Sequence, residues 1–346
     1  MNIGLKTLGI GSLTLALLEI GLRLSGLLNS YTENLGKQYT SAYNIESSTW
    51  FPFWEPNTEH DVDHGDFEYH YVINSFGFRG VEPVVDKPDS IKRIIVLGDS
   101  FAEGMGAPRS SAWPRQFETL LLERGLQTEV INAGISGSDP FFQFMLLEHK
   151  LRNLNPDYVV LSVNSTDLND VILRGGTERF YEDGTTHYRK GPWYEPLFKY
   201  SFVVRLYCKL VLDQPMVGVF LSKQQYHDEM GWARAELSKL ICKKVTRLEE
   251  QGVGVLVIVH PAPFVAANPE AEVSYHPKPF MSKLTHSLQT NHISVIILDD
   301  KFETLFKEEP VSDFAHMNDG HYNAKGYAYF ANFVVEEMDE QNFMFD

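Results

Sequence analysis

Five short runs of apolar, largely β-branched residues recur along the chain, at residues 93–98, 128–134, 157–163, 253–259 and 293–299. Unbroken runs of this length are typical of strands that are buried on both faces. The segments between them carry apolar residues at helical spacing, as at Trp113, Phe117, Leu120 and Leu121. Strands that alternate with helices predict an α/β fold in three layers, in which helices cover both faces of a five-stranded parallel sheet.

A second pattern precedes this domain at residues 59–80, EHDVDHGDFEYHYVINSFGFRG. Polar and apolar residues alternate there, with Phe67, Tyr69, Tyr71 and Ile73 on one face, as in a half-buried strand. The stretch also holds side chains of the kinds that bind metals: Glu59, His60, Asp61, Asp63, His64, Asp66 and His70. Because alternation sends many of them to a solvated face, we interpret residues 29–91 as a connector with a small β element.

The N-terminal segment is apolar. Residues 8–18 carry no charge, and the pattern continues to residue 28 with only Glu19 and Arg23 interrupting it. As a helix, residues 8–28 would be about 31 Å long, close to the thickness of a bilayer core. Glu19 and Arg23 are four residues apart, so they share a helix face and can neutralise each other.

Three interpretations of this segment compete: a membrane anchor, a cleaved signal peptide and an amphipathic helix packed on the domain. No small-x-small cleavage site follows, which disfavours removal. We therefore predict that residues 1–28 form a single-pass anchor in a lipid bilayer. Lys6, before the apolar span, favours an extracytoplasmic location for the rest of the chain.

An insertion separates the third and fourth predicted strands, at residues 171–230. Asp183-Gly184 is a tight-turn signal and predicts a small hairpin. The insertion is rich in aromatic residues, namely Phe180, Tyr181, Tyr188, Trp193, Tyr194, Phe198 and Tyr200. Such a cluster more often forms its own small core than a platform for a sugar ring.

Composition narrows the function classes. The 346 residues are 43% hydrophobic and 22% charged, a globular balance, and the two cysteines are too few for a disulfide framework. The 46 acidic and 30 basic side chains give a net charge of −16. An acidic surface repels phosphate backbones, which excludes nucleic acid as a partner and disfavours anionic polymers unless a local basic patch exists.

The candidate chemistry begins at Gly98-Asp99-Ser100, where the first strand of the domain ends. The following residues lack the Gly-Lys-Ser/Thr of a P-loop and the spacing of GxGxxG. Ala102 stands where the nucleophile elbow GxSxG has its last glycine. From the residues alone, Ser100 is either a nucleophile at a strand end or a helix cap.

Two other segments supply the partners that a nucleophilic serine needs, a base with its orienting acid and oxyanion donors. Asp319 and His321 lie just before the last predicted helix, and Gly134 and Gly137 follow the second strand. Ligands of parallel sheets bind beyond the carboxyl ends of the strands, where all these segments are expected.

This set resembles the SGNH hydrolases, also called GDSL-type esterases, over residues 92–340. Gly-Asp-Ser matches their first block, the spacing from Asn132 to Gly137 matches their N-x-x-x-x-G block, and Asp319 with His321 matches their last block, with Asn323 and Gly326 behind it. The N-terminal span and the sequence NSFGFRG, at residues 74–80, are similar to the membrane-anchored branch of the superfamily.

The resemblance implies a flavodoxin-like three-layer fold and a catalytic triad of Ser100, His321 and Asp319. It also implies an oxyanion hole made by the backbone N–H groups of Ser100 and Gly137, and no metal or organic cofactor. The activity implied is ester hydrolysis through an acyl-enzyme on Ser100, on a small acyl ester or an acetylated glycan. The alternatives are an O-acyltransferase of an envelope polysaccharide and a catalytically degenerate binding or assembly protein.

The sequence departs from the family at two positions. In the third block, usually G-x-N-D, Thr166 replaces the asparagine that donates to the oxyanion, so Thr166 or Asn164 is the candidate donor. The last block reads D-x-H rather than D-x-x-H. A literal D-x-x-H exists at Asp313 and His316, but only His321 leads directly into the final helix. His260, after the fourth strand, is either a pocket residue or a loop histidine without function.

Overall fold

A computed structural model describes residues 3–28, 43–44, 53–176, 192–214, 220–268 and 278–343. The chain forms two compact units, the smaller from residues 1–41 and 188–229 and the larger from residues 42–187 and 230–346. The described strands are β1 (Tyr43–Asn44), β2 (Phe53–Trp54), β3 (Glu59–Asp63), β4 (Glu68–Val72), β5 (Lys92–Leu97), β6 (Thr128–Asn132), β7 (Tyr158–Val163), β8 (Gly254–Val259) and β9 (Val295–Ile297).

The described helices, apart from short 3₁₀ and π turns, follow in the same order. They are α1 (Ile3–Ser25), α2 (Ser100–Glu103), α3 (Trp113–Glu123), α4 (Pro140–Leu146), α5 (Ser165–Arg174), α6 (Glu195–Tyr200), α7 (Phe202–Leu210), α8 (Lys223–Glu249), α9 (Pro263–Ala267), α10 (Lys278–Thr290), α11 (Asp299–Glu308) and α12 (Ala324–Glu340).

The larger unit is built on a parallel five-stranded sheet with strand order β6-β5-β7-β8-β9. The predicted α/β fold with five parallel strands is therefore confirmed. The strand order reverses at β5, because the chain goes from β5 outward to β6 and then returns to β7 on the other side. Ligands of open parallel sheets bind at such a switch point, beyond the carboxyl ends of the strands.

The core of this unit lies between the sheet and its helices. Trp113 of α3 is fully buried and stacks on Phe330 of α12, with ring centroids 4.8 Å apart. The apolar run of β5 is buried from Arg93 to Leu97, as expected for a central strand. This packing holds the carboxyl end of β5, and with it Ser100, at a fixed position.

β3 and β4 form an antiparallel hairpin within the larger unit. The alternating apolar residues in and beside β4 face inward: Tyr71 of the strand and its flanking residues Phe67 and Ile73 are buried. The inward face packs on Trp54, whose ring centroid is 5.7 Å from that of Tyr71. The range interpreted as a connector thus contributes an ordered β element to the larger unit.

In the smaller unit, the two charges of α1 are used in hydrogen bonds. Arg23 Nε donates to Glu19 Oε1 at 2.8 Å, as the shared helix face predicts. The Glu19 carboxylate also accepts the N–H groups of Phe202 and Val203 at the start of α7, at 2.9 and 3.0 Å. Glu19 therefore caps α7, with its negative charge at the positive end of that helix.

The structure does not support the predicted membrane anchor at residues 1–28. Among the described residues, no helix has both the length and the apolar character needed to cross a membrane. The hairpin predicted around Asp183-Gly184 lies outside the described residues.

Candidate active site

Ser100 is the first residue of α2 and follows the carboxyl end of β5 almost directly. Asp99, rather than Ser100, caps this short helix, because its carboxylate accepts the Phe101 N–H at 2.9 Å. Gly98 leaves no room for a side chain, since a Cβ there would lie 2.5 Å from Ala102 Cβ. The Gly-Asp-Ser sequence therefore forms a tight strand-to-helix turn that leaves the Ser100 hydroxyl free to meet another group.

That group is His321, which lies between Ser100 and Asp319. Its Nε2 is 2.6 Å from Ser100 Oγ, and its Nδ1 is 2.5 Å from Asp319 Oδ1. A carboxylate only accepts hydrogen bonds, so Nδ1 carries the proton, and in the neutral ring Nε2 then accepts from the Ser100 hydroxyl. This order of groups is the one that general-base activation of a serine requires.

The D-x-H spacing is accommodated by Gly320, which has a φ of +93°. Glycine enters this left-handed region without the strain that a Cβ would cause. Backbone hydrogen bonds from His316 N to His321 O and from Gly320 N to His316 O, at 2.9 and 2.8 Å, close the loop. The Asp319 carboxylate can therefore fold back onto a histidine only two residues later.

The literal D-x-x-H pair is not brought to Ser100. His316 Nε2 lies 2.7 Å from Gly106 O, and its ring packs against Phe67 at 4.7 Å between centroids. Asp313 ends the 3₁₀ turn Val311–Asp313. His316 therefore supports the loop that carries His321 rather than replacing it.

The surroundings of Asp319 favour its charged form. Burial raises the pKa of this carboxyl, but the hydrogen bond and the charge of His321 outweigh that effect. His64 adds to them from the other side, with Nδ1 3.8 Å from Asp319 Oδ2. The resulting pKa of Asp319 lies below the ordinary value for an aspartate. Asp319 is therefore an anion at every pH at which His321 is neutral and can act as a base.

The glycine-rich segment after β6, where the oxyanion residue is predicted, is fixed to α2. Asn132 Nδ2 donates to Ala102 O at 2.8 Å. A Cβ on Gly134 would lie 2.3 Å from Glu103 N, so the backbones meet as closely as only glycine allows. These contacts therefore hold the segment directly against α2, the helix that starts at Ser100.

Glu103 makes the next attachment. Its buried carboxylate accepts the Ser136 N–H at 2.6 Å and the Ser136 hydroxyl, and its other oxygen accepts the Trp54 Nε1–H at 3.0 Å. Gly137 follows Ser136 in the left-handed region, with a φ of +69°. Sequence reasoning missed Glu103. A glutamate in a short helix is expected to be exposed, and nothing in the sequence indicates that this one is buried.

Thr166 and Asn164, the predicted third donors, both contact Asp99. Asn164 caps α5 through its Oδ1, which accepts the Thr166 N–H at 2.7 Å, and its Nδ2 donates to Asp99 Oδ2 at 2.9 Å. Thr166 Oγ1 lies 2.9 Å from Asp99 Oδ2 and 2.7 Å from Asn164 Oδ1. The single hydroxyl proton of Thr166 therefore has two acceptors already, and it must turn away from both to reach an oxyanion.

Two further ionisable groups lie buried beneath the site. Burial and the charge of Asp99 raise the pKa of Asp167 well above its usual range. Burial lowers the pKa of His260 to about 4, although Asp99 opposes the shift. His260 is only 1% exposed and lies 5.3 Å from the Phe101 ring. It supports the floor of the site and does not line an open pocket.

The β3–β4 turn reaches the catalytic loop, which the alternating pattern did not predict. The Asp66 carboxylate accepts the Asn318 N–H at 2.6 Å and the Asp319 N–H at 3.1 Å. His64 is exposed and Asp66 is half-buried, so both keep solvent-accessible surface, but period-two alternation does not extend through a turn and did not predict their contacts with the loop.

The NSFGFRG segment also reaches the site. The guanidinium of Arg79 is buried against the ring of Tyr71, 3.9 Å from its centroid. It donates to Gly104 O at 2.7 Å and to Ala107 O. Arg79 thereby holds the loop that follows α2, on which His316 rests through Gly106.

Three solved structures with esterase or hydrolase titles are similar to the chain in fold. An acetyl xylan esterase, AlAXEase, is 17% identical, with 70% of this chain and 98% of that chain covered and a TM-score of 0.45. LAE5, an alpha/beta hydrolase from the metagenome of Lake Arreo, is 14% identical (72% and 95% covered, TM-score 0.45). A catalytic mutant of Axe2, an acetylxylan esterase from Geobacillus stearothermophilus, is 13% identical (73% and 95%, TM-score 0.46).

Sequence comparison gives a closer assignment. An arylesterase of Vibrio mimicus is 33% identical over 76 residues, which cover 22% of this chain and 38% of the arylesterase, so the match spans less than half of that protein. Residues 96–329, from β5 into α12, match the GDSL-like Lipase/Acylhydrolase family. This range includes Ser100, Gly137 and the Asp319–His321 pair. The chain belongs to the GDSL-like lipase/acylhydrolase family of ester-bond hydrolases.

Proposed function

We propose that this hydrolase is a serine esterase that works through an acyl-enzyme on Ser100. The observation that supports the proposal is the continuous hydrogen-bonded chain from Ser100 Oγ through His321 to Asp319, with distances of 2.6 and 2.5 Å. In this arrangement the serine has a base within reach, and the base has a partly buried anion to balance the charge that it gains.

In the first half-reaction, Ser100 Oγ attacks the ester carbonyl carbon and its proton moves to His321 Nε2. The carbonyl oxygen becomes an oxyanion, for which the N–H groups of Ser100 and Gly137 are the proposed donors. When the intermediate collapses, the bond to the leaving alcohol breaks and His321 returns the proton to that alcohol. Asp319 stays ionised throughout and stabilises the imidazolium.

In the second half-reaction, water attacks the acyl-enzyme while His321 accepts one of its protons. Collapse of the second intermediate releases the carboxylic acid and returns a proton to Ser100 Oγ. An O-acyltransferase would follow the same path with a sugar hydroxyl in place of water. Product analysis with and without added sugar separates the two, since transfer would give an acylated sugar and less free acid.

For the substrate we propose a short acyl ester, either a small ester or an acetyl group on a neutral glycan. The net charge of −16 supports a neutral rather than an anionic substrate. The extracytoplasmic location remains a prediction from the N-terminal sequence. One observation favours the alternative that the protein is catalytically degenerate. The Thr166 hydroxyl, which replaces the usual asparagine amide, is hydrogen-bonded to Asp99.

The test is a serine-directed phosphonate probe together with p-nitrophenyl acetate hydrolysis by the full chain. We expect the probe to label Ser100 and Ser100→Ala to lose both labelling and more than about 10³-fold of the turnover. Ser110→Ala, at an exposed serine of the same domain, is the matched control and should behave as the wild type. Absence of labelling in the folded wild type, or a label on another serine, would refute the proposal.

A further inference from the structure

The turn between β3 and β4 lies against the loop that carries the catalytic pair. Asp66, in this turn, accepts three hydrogen bonds from two consecutive loop residues. They come from Asn318 N at 2.6 Å, Asn318 Nδ2 at 2.5 Å and Asp319 N at 3.1 Å. The same turn places His64 Nδ1 3.8 Å from Asp319 Oδ2. The hairpin thus contacts both the backbone and the side chain of the catalytic acid.

The backbone hydrogen bonds within the catalytic loop, residues 316–321, do not involve the N–H groups of Asn318 and Asp319. They join His316 N to His321 O and Gly320 N to His316 O, so they fix the two ends of the turn. The N–H groups of Asn318 and Asp319 lie between those ends, next to Gly320, and neither is joined to another part of the loop by these two bonds. A single carboxylate that accepts both N–H groups fixes the direction from which the Asp319 side chain starts.

The loop that Asp66 contacts stabilises the charge of its carboxylate. The hydrogen bonds with Asn318, first its side chain and then its N–H, are the main cause that holds the pKa of Asp66 below its usual value. Charge-assisted hydrogen bonds to N–H groups are among the stronger ones in proteins, which explains how the arrangement persists.

We propose that Asp66 is a positioning residue for Asp319, and that the β3–β4 hairpin is therefore a working part of the esterase site. The inference rests on the proposed function, since it assigns Asp66 a role through the catalytic acid. Asp66 acts through two N–H groups of the loop and not on the substrate. It keeps Asp319 Oδ1 at hydrogen-bonding distance from His321 Nδ1.

The experiment compares Asp66→Ala and Asp66→Asn with Asp61→Ala in the full chain. Asp61 lies on the same hairpin, but its carboxylate is 88% exposed and contacts His70 at 2.9 Å, away from the catalytic loop. With p-nitrophenyl acetate, Asp66→Ala should lose about tenfold or more in kcat with KM within about twofold, because a misplaced catalytic group lowers the rate of the chemical step.

Asp66→Asn should recover most of that loss, since its amide oxygen still accepts the two backbone N–H groups and the Asn318 amide can rotate to meet its NH₂ group. Asp61→Ala should match the wild type. If Asp66→Ala has the kcat of the wild type, or if Asp66→Asn is as impaired as a folded Asp66→Ala, the positioning role is refuted.

Proton NMR provides a readout that does not depend on turnover or on substrate. The His321 Nδ1 proton, shared with Asp319, should give a strongly deshielded signal that the wild type and Asp61→Ala retain. Folded Asp66→Ala should lose or broaden it while Asp66→Asn retains it, and an unchanged signal in Asp66→Ala would overturn the inference.

If Asp66→Ala does not fold, the Asp66→Asn signal alone decides, because its absence would contradict the role assigned to the backbone hydrogen bonds. A wild type that shows the signal but neither hydrolyses esters nor reacts with the phosphonate would refute the proposed function alone.

Discussion

At the scale of single residues, Ser100 and His321 are 221 positions apart in the chain, yet their side chains are 2.6 Å apart. Sequence reasoning could bring them together because Ser100 follows a strand and His321 precedes the last helix, and both boundaries lie at the same sheet edge. It could not decide between His321 and His316 from spacing alone. That choice depends on Gly320, whose left-handed backbone turns the Asp319 carboxylate back toward His321.

The two histidines are expected to respond differently to substitution. His321→Ala should lower kcat by more than about 10³-fold, because the members of a triad act as a unit and the serine loses its base. His316→Ala should retain most of the activity, since it removes only the hydrogen bond to Gly106 O and the packing on Phe67. Steady-state kinetics on p-nitrophenyl acetate compares them. The reverse ranking would make Asp313 and His316 the working pair.

Thr166 raises a different question at the same scale. Its hydroxyl is 2.9 Å from Asp99 Oδ2 and 2.7 Å from Asn164 Oδ1, so an oxyanion has to compete with two acceptors for one proton. An asparagine amide has two protons and a longer reach. We therefore expect Thr166→Asn to raise kcat with little change in KM, because the added donor acts mainly in the transition state.

The measurement is kcat and KM for Thr166→Asn and Thr166→Val beside the wild type, with thermal unfolding to confirm the fold. Thr166→Val removes the hydroxyl at nearly constant volume. If all three proteins have equal turnover, the side chain at position 166 does not face the oxyanion. The site would then rely on the amides of Ser100 and Gly137.

At the scale of elements, the sheet was predictable and the attachments between loops were not. The buried runs fix which segments are strands, since few other arrangements hide so many β-branched residues. The attachments depend on single polar residues in turns or in short helices, such as Asp66 and Glu103, where no periodicity constrains the direction of a side chain. The N–H groups that these carboxylates accept can be identified only once the backbone of the partner loop is known.

The start of α11 offers a pH-dependent test of one element. Burial raises the pKa of Asp299 to about 6, and the charge of Glu303 adds to the shift. Because the pKa in the folded protein exceeds the unfolded value, ionisation of Asp299 lowers stability as the pH rises from about 4 to about 6. The free energy of unfolding should therefore contain a loss of about 1–3 kcal/mol in that interval.

Asp299→Asn removes this ionisation. The variant should unfold at a higher temperature than the wild type at pH 7, and the difference should disappear at pH 4, where Asp299 is protonated in the folded protein. Asp300→Asn, at the neighbouring exposed carboxylate, is the control and should show no such pH-dependent gain. A constant difference between Asp299→Asn and the wild type at both pH values would show that burial does not perturb Asp299.

At the scale of the whole molecule, the family and the α/β architecture followed from three short blocks and five apolar runs, and both are confirmed. The membrane anchor predicted for the N-terminal segment is not supported by the structure. Glu19 and Arg23 form the ion pair that their spacing predicts, and both also bond outside α1. Glu19 accepts the N–H groups of Phe202 and Val203 at the start of α7, and Arg23 donates to the carbonyl of Tyr200 at the end of α6. The i,i+4 spacing predicts the ion pair, but it carries no information about contacts with residues so distant in the chain.

The net charge of −16 leads to a prediction about substrates that belongs to the molecule as a whole. A strongly acidic protein repels an anionic ester over distances up to about the Debye length, roughly 10 Å at 0.1 M salt, and added salt screens the repulsion. For two esters with the same acyl group, one neutral and one with a carboxylate in the alcohol part, kcat/KM should be lower for the anionic ester at low salt. That difference should shrink as the salt concentration rises, while the value for the neutral ester stays nearly constant.

The comparison uses the neutral ester as its internal control for effects of salt on the enzyme itself. If the anionic ester is preferred at low salt and loses that preference on salt addition, a local basic patch governs the site against the net charge, and the proposed substrate class would shift from neutral to anionic esters.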